Sequence, residues 1–385
     1  MIKKKDSLFM LVLVFCLIFF VKCKVNRNEL IPTQFDRTVL VYMEANNNLK
    51  FDALNSINGL EQGFNIKHGN LLVYIKTNDK FSYLLKIRHD VNKYEIVSDT
   101  IKVFNSSVAS DPNIMKEVIS FTQENFRASS YGLILWSHAT AWAPSQKNDL
   151  LKTESFGYDR GIEMDIKQLK NAIPNNFDFI IFDACSMGSI EVLFEFKDKA
   201  KYIIASPSET ISESYPYKLI VPYLFTDVDG LSQISKIYFD YYNNYQDIRK
   251  SATISLYRTS EIDSLAKDLN NLINSVKKDG FEGFKTLKVQ RLDFSENFPI
   301  PVYDFYGFLN ANFKSSDLTI ITKRLKKLLI YTASTENFLN KKIENYSGLS
   351  IYIPDEKDRV FKYYTSLNWF HASGIDLLHP FLISK

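Results

Sequence analysis

Cys185 and His138 are the two side chains in this sequence best suited to act as a chemical pair. Cys185 sits in FDFIIFDACSMGSIEV, Phe177 to Val192. An apolar run there ends in Asp183-Ala184-Cys185-Ser186-Met187-Gly188, and an amphipathic segment follows. The pattern predicts a buried strand that delivers a cysteine at its carboxyl end, then a small-residue turn into a helix. Upstream, Tyr131 to Trp136 (YGLILW) is a second apolar run, ending in Ser137-His138-Ala139. In open α/β sheets, ligand chemistry collects outside the carboxyl ends of the strands. A thiol with a pKa near 8.5 is mostly protonated at neutral pH. An imidazole can take its proton, and a helix N-terminus favours the thiolate. Backbone N–H groups of the turn could hold an oxyanion. The chemistry this pattern supports is attack by a thiol on a carbonyl carbon.

The elements that must hold this pair can be read from the flanking sequence. Arg37 to Met43 and Asn70 to Lys76 read as buried strands, with a helical pattern from Leu49 to Phe64 between them. Tyr83 to His89 and Tyr94 to Ile101 alternate apolar and polar residues and predict an antiparallel hairpin turning at Asn92-Lys93. Asp111-Pro112 opens a helix that runs to about Ala128, since Asp caps well and Pro suits the first turn. Trp142 to Asp159 is polar and predicts an exposed loop beside the site. Glu163 to Ile173 reads as helix and Lys201 to Ser206 as a further strand. This β-α-β series argues for a mostly parallel sheet flanked by helices. Beyond Pro222, Leu231 to Tyr245, Ser260 to Lys278 and Leu318 to Thr335 read as helices, and Ser251 to Tyr257 and Gly348 to Ile353 as strands. The expected organisation is a catalytic core over 37–222 with a C-terminal α+β subdomain over 223–385 packed on it.

Composition excludes several classes. The net charge is +3 over 385 residues, and basic residues are interleaved with acids, so no stripe suits a nucleic acid. The 30 Phe and 22 Tyr fit a large aromatic core. There is no Gly-x-Ser-x-Gly elbow, no phosphate loop and no metal-ligand spacing, so neither metal nor cofactor is expected. His68, His89, His371 and His379 lack patterned partners. The cysteines are Cys16, Cys23 and Cys185. Lys3 to Lys5 precede the apolar run Leu8 to Val21, which is shorter than the roughly 20 residues a spanning helix needs. Residues 1–22 therefore read as a signal peptide. Cys23 directly after the run is similar to a bacterial lipoprotein site, although Lys22 stands where a small residue is usual. Residues 23–36 form a polar tether. The folded body is expected to be exported and anchored to a membrane through lipidated Cys23, or otherwise simply secreted.

Several blocks, in order, resemble the clostripain family of cysteine peptidases, within the wider group of caspases, legumains and gingipains. These are TVLVYMEANNNL (Thr38 to Leu49), YGLILWSHATAW (Tyr131 to Trp142), FDACSMGSIEV (Phe182 to Val192), IIASPSET (Ile203 to Thr210) with Tyr215-Pro216-Tyr217, and GLSIYIP (Gly348 to Pro354). The resemblance implies a caspase-like α/β/α sandwich and an endopeptidase acting on protein or peptide substrates. It makes Cys185 the nucleophile and His138 the base, with backbone N–H groups of Ala139 and Cys185 at the oxyanion. It makes Asp183 the acid at the floor of a pocket for Arg or Lys. Glu209 and Glu213 lie on the implied substrate loop. Some relatives cut their own loop after a basic residue, for which Lys147 and Lys152 are available; calcium dependence occurs in part of the family. Relatives carry Gly directly after the histidine, where this chain has Ala139, with Ala141 in place of a further Gly. A left-handed backbone at Ala139 would strain it and would favour the rival reading, a catalytically inactive peptidase-like binding lipoprotein. A second rival is an unrelated thiol-dependent transferase or amidase.

Overall fold

The computed structural model describes residues 36–105, 108–143, 156–277, 283–295, 300–354 and 357–381. The leader, Cys23, nearly all of the tether, Lys147 and Lys152 lie outside the described residues.

One nine-stranded sheet organises the chain. Its strands are β1 (Arg37–Glu44), β2 (Asn70–Lys76), β3 (Phe81–Lys86), β4 (Asp99–Asn105), β5 (Ser130–Trp136), β8 (Phe177–Asp183), β9 (Ala200–Ala205), β10 (Thr253–Arg258) and β12 (Leu329–Ser334). They lie in the order β12-β10-β9-β8-β5-β1-β2-β3-β4. The five central strands, β9 to β2 in that order, run parallel, and two antiparallel strands extend each edge. Two further strands, β6 (Phe156–Asp159) and β7 (Ile162–Met164), form a separate hairpin, and β11 (Tyr303–Asp304) pairs with Ser350–Ile351.

The central strands read as unbroken apolar runs because both of their faces are covered. Alternate residues of β1 serve different cores. Leu40 and Tyr42 join one with helices Pro112–Asn125, Ile166–Ala172, Ile190–Phe196 and Ile262–Lys277. Val39, Val41 and Met43 join the other with helices Lys50–Gly63, Tyr217–Ile220 and Val228–Asn243. The result is the expected α/β/α sandwich. Helix starts follow the local chemistry: Asp111 accepts from Asn113 N–H at 2.8 Å, and Asp165 forms a full capping box with Gln168.

Four expectations need correction. The hairpin partner of β3 is β4 at Asp99–Asn105, not Tyr94 to Ile101; period-two alternation marks a face but leaves the register open. The helix expected over Glu163 to Ile173 begins only at Ile166, because Ile162–Met164 pairs with Phe156–Asp159 as a strand. The helix expected over Leu318 to Thr335 ends at Leu328, and Leu329–Ser334 becomes the edge strand β12. The expected exposed loop after His138 is not exposed at its ends: Trp142, Ala143, Phe156 and Asp159 are buried. The sheet also runs past Pro222, since β10 and β12 extend it.

Candidate active site

The register of β5 on β8 sets the geometry. Trp136 pairs with Asp183, so His138 and Cys185 each lie two residues beyond the same pair, on neighbouring parallel strands. Ser137 N–H to the Asp183 carbonyl, 3.3 Å, carries the ladder one step further. The Cys turn then reverses through Ser186, whose φ is +59°. Ser186 N–H donates to the Ser208 carbonyl at 2.7 Å, and Gly188 N–H to that of Ser206 at 2.8 Å. Only glycine suits position 188. A Cβ there would lie 2.6 Å from Tyr257 Oη and 2.7 Å from Pro207 N. Ser189 then caps helix Ile190–Phe196.

Cys185 is half-buried. Thr210 N–H donates to its Sγ at 3.3 Å, and the Thr210 hydroxyl lies at 3.5 Å. Burial pushes the thiol pKa up; the Thr210 bonds oppose this, while Glu209 and Asp183 add to it. The resting sulfur is therefore a neutral thiol at pH 7, and it needs a base to become a nucleophile.

His138 is half-buried, and burial lowers its pKa below the ordinary value, so the ring is neutral and able to accept a proton. Its Nε2 lies 2.8 Å from Asn48 Oδ1. Gly157 N–H donates to the His138 carbonyl at 3.0 Å, which ties the loop to the β6–β7 hairpin. Four residues on, Trp142 is fully buried, with its ring centroid 5.2 Å from Tyr352 and 5.3 Å from Tyr364. The left-handed backbone of this loop falls at Ala141, φ +58°, and not at Ala139.

The model for the clostripain family matches residues 41–376, most of the chain. The chain belongs to the clostripain family. Clostripain itself, from Hathewaya histolytica, is 21% identical, with 90% of this chain and 78% of that protein covered. Among solved structures, an inactive zymogen C11 protease from Parabacteroides distasonis superposes with a TM-score of 0.77 at 26% identity, covering 89% of this chain and 99% of that one. A secreted C11 cysteine protease from Bacteroides thetaiotaomicron, solved with an irreversible peptide inhibitor, gives 0.75 at 25%, covering 89% and 100%. This clostripain-family chain is thus a cysteine peptidase with the caspase-like fold.

The three acids singled out in the sequence have different surroundings. Asp183 is buried. Its Oδ2 accepts from the Ser214 hydroxyl and, at 2.7 Å, from Tyr217 Oη. Burial pushes its pKa up to about 6 against these hydrogen bonds. Glu209, on the implied substrate loop, is buried. It accepts Phe294 N–H at 3.0 Å and Ser295 N–H at 2.6 Å, so it ties down a distant loop. Glu213 is exposed, 3.9 Å from Arg249. Elsewhere, His89 Nδ1 lies 3.1 Å from the Glu61 carbonyl and His371 Nδ1 lies 3.0 Å from Asp376. Sequence reasoning passed over Asn48 and Thr210. Asn48 lay within a quoted motif, but nothing local links it to a histidine 90 residues away.

Proposed function

We propose that this peptidase is an exported endopeptidase with a Cys185–His138 dyad that cleaves after Arg or Lys. The observation that supports the dyad best is the β5–β8 register, which leaves both residues two positions beyond the same paired residues on neighbouring strands. His138 takes the thiol proton as sulfur attacks the carbonyl carbon of the peptide. N–H groups of Ala139 and Cys185 stabilise the oxyanion. The tetrahedral species collapses as the imidazolium protonates the departing amine, leaving a thioester on Cys185. Water, deprotonated by the same ring, hydrolyses the thioester and releases the acid and the thiol. The rival reading, an inactive binding protein, drew on Ala139. That motive weakens, because the backbone at Ala139 lies outside the left-handed region.

Asp183 carries the specificity reading. It is a buried carboxylate two residues before the nucleophile, held by hydroxyl groups and with a raised pKa. A substrate guanidinium or ammonium would supply the counter-charge.

The test is kcat/KM on fluorogenic peptides. Cys185→Ala should abolish turnover and leave the fold unchanged by circular dichroism. His138→Ala should lose at least ~10²-fold, the lower range for a general base. Undiminished turnover in either variant rejects the dyad. Export rests on the leader and Cys23. Mass spectrometry of the mature N-terminus should find lipidated Cys23 in the wild type and none in Cys23→Ser. A free amine at another residue would replace anchoring with plain secretion.

A further inference from the structure

The loop Asn46-Asn47-Asn48 follows β1 and faces the histidine loop. Each of its side chains has a separate task. Asn46 Nδ2 donates to Asp79 at 2.8 Å and to Asp159 at 2.7 Å. Asn47 Nδ2 donates to the Tyr158 carbonyl at 3.1 Å, while its Oδ1 accepts Leu49 N–H at 2.9 Å. These bonds fix the loop to the β6–β7 hairpin on one side and to the start of helix Lys50–Gly63 on the other. Asn48 is exposed, and its Oδ1 meets His138 Nε2 at 2.8 Å.

An amide oxygen only accepts hydrogen bonds. With the amide oxygen turned to the ring, the ring nitrogen facing it carries the hydrogen. In a neutral imidazole that leaves Nδ1 unprotonated. We propose that Asn48 is a positioning residue for the peptidase reaction: it holds His138 in the Nε2–H tautomer and keeps Nδ1 as the nitrogen that takes the Cys185 proton. This inference rests on the dyad reading and deepens it. An anchored amide suits the task better than a free one. Its two neighbours pay the entropy of fixing the loop, so the ring is orientated before substrate arrives. Asn48 itself contacts no reacting atom.

The experiment uses the full mature chain labelled with ¹⁵N-histidine. The five histidines are few enough to assign, His138 by difference with His138→Ala. In the wild type the His138 nitrogens should show the Nε2–H tautomer. Asn48→Ala should give a mixture of tautomers, with kcat at least ~10-fold lower, part of the 10²–10⁴ a base supplies. KM should stay within about twofold, since substrate binding does not involve Asn48. Asn48→Asp keeps the acceptor and adds a negative charge beside Nε2–H. It should keep the tautomer, restore kcat above the His138 titration and move the acid limb of kcat to higher pH.

An unchanged ¹⁵N pattern in Asn48→Ala overturns the proposal. So does a loss carried by KM, or a loss that Asn48→Asp does not rescue, because a merely structural role would behave in those ways. If His138→Ala is itself fully active, the dyad has failed. If His138→Ala is dead and Asn48→Ala is normal, the dyad stands and only the positioning role fails.

Discussion

The turn after β8 and the loop after β5 leave the same end of the sheet, yet they are held by different mixtures of backbone and side-chain contacts. The cysteine turn is fixed by backbone. Ser186 and Gly188 donate to Ser208 and Ser206, and Ser350 N–H donates back to the Gly188 carbonyl at 3.3 Å. The histidine loop also has backbone bonds, Ser137 N–H to the Asp183 carbonyl and Gly157 N–H to that of His138, but the ring itself is held by a side chain, Asn48. The loop is further fixed by the Ser137 hydroxyl on the Glu44 carbonyl at 3.3 Å and by Trp142 among three tyrosines. Cys185 thus sits on a turn tied to the sheet through backbone bonds. The His138 ring is held by a side chain, Asn48, that one substitution can remove. The two are joined through Tyr352, which packs on Trp142 and donates its N–H to Glu191 at 2.8 Å, in the first turn of the helix after Cys185.

The largest effect should come from crowding the backbone-held side. Gly188→Ala places a methyl against Pro207 N and Ser206 C, at 2.7 and 2.9 Å, and these backbone atoms cannot swing away. Overpacking costs about 1–3 kcal/mol, and this site should lie at the upper end. The Cys turn would shift, and a displacement near 1 Å can cost about 10²-fold in rate. Denaturant unfolding and single-turnover kinetics would measure both. Wild-type kinetics in this variant would mean that the turn is not held as described.

Next in size is Asp183, on the same strand. Asp183→Asn removes the charge while keeping most of the shape. Losing a buried partner for a substrate cation costs about 2–5 kcal/mol, or roughly 30-fold and more in kcat/KM. The loss should fall on Arg and Lys substrates and largely spare neutral ones. In the wild type its pKa is raised to about 6, so the carboxyl is protonated below that pH and ionised above it. Activity on Arg and Lys peptides should therefore rise with pH through about 6, and this limb should vanish in Asp183→Asn. Equal losses on every substrate would instead make Asp183 an anchor for Ser214 and Tyr217.

How much of this was visible in the sequence follows the same division. The cysteine and histidine strands were legible because a strand buried on both faces must be apolar throughout, and because small and polar residues break that run where it ends. The edges were less legible. β12 is half-exposed along most of its length, and it follows helix Thr319–Leu328 directly at Leu329, with no Gly or Pro to mark the change. β4 shares its alternation with the residues before it, so its register depended on β3. Of the candidate site residues, Cys185 and His138 follow strand ends and Asp183 closes a strand, so they could be read. Asn48 on the ring and Glu209 under Phe294 act across long stretches of chain, and local pattern says nothing of them.

The smallest effect sharpens the account of the histidine loop. Ala139 and Ala141 are both buried, at 5% and 0% exposure, so each Ala→Gly change deletes a comparable buried methyl. Each also adds the backbone entropy of glycine, about 0.5–1 kcal/mol. Only Ala141 is left-handed, at φ +58°. That conformation costs an L-residue about 1–2 kcal/mol, which glycine avoids. The shared terms cancel in the difference between the two variants. Ala141→Gly should thus be more stable than Ala139→Gly by about 1–2 kcal/mol. At Ala141 the gain and the losses nearly balance, so that variant should unfold close to wild type, while Ala139→Gly should be measurably weaker. Urea midpoints at constant slope would test this. Equal destabilisation would remove strain at Ala141 from the description of the loop, and a more stable Ala139→Gly would return the strain to the residue beside His138.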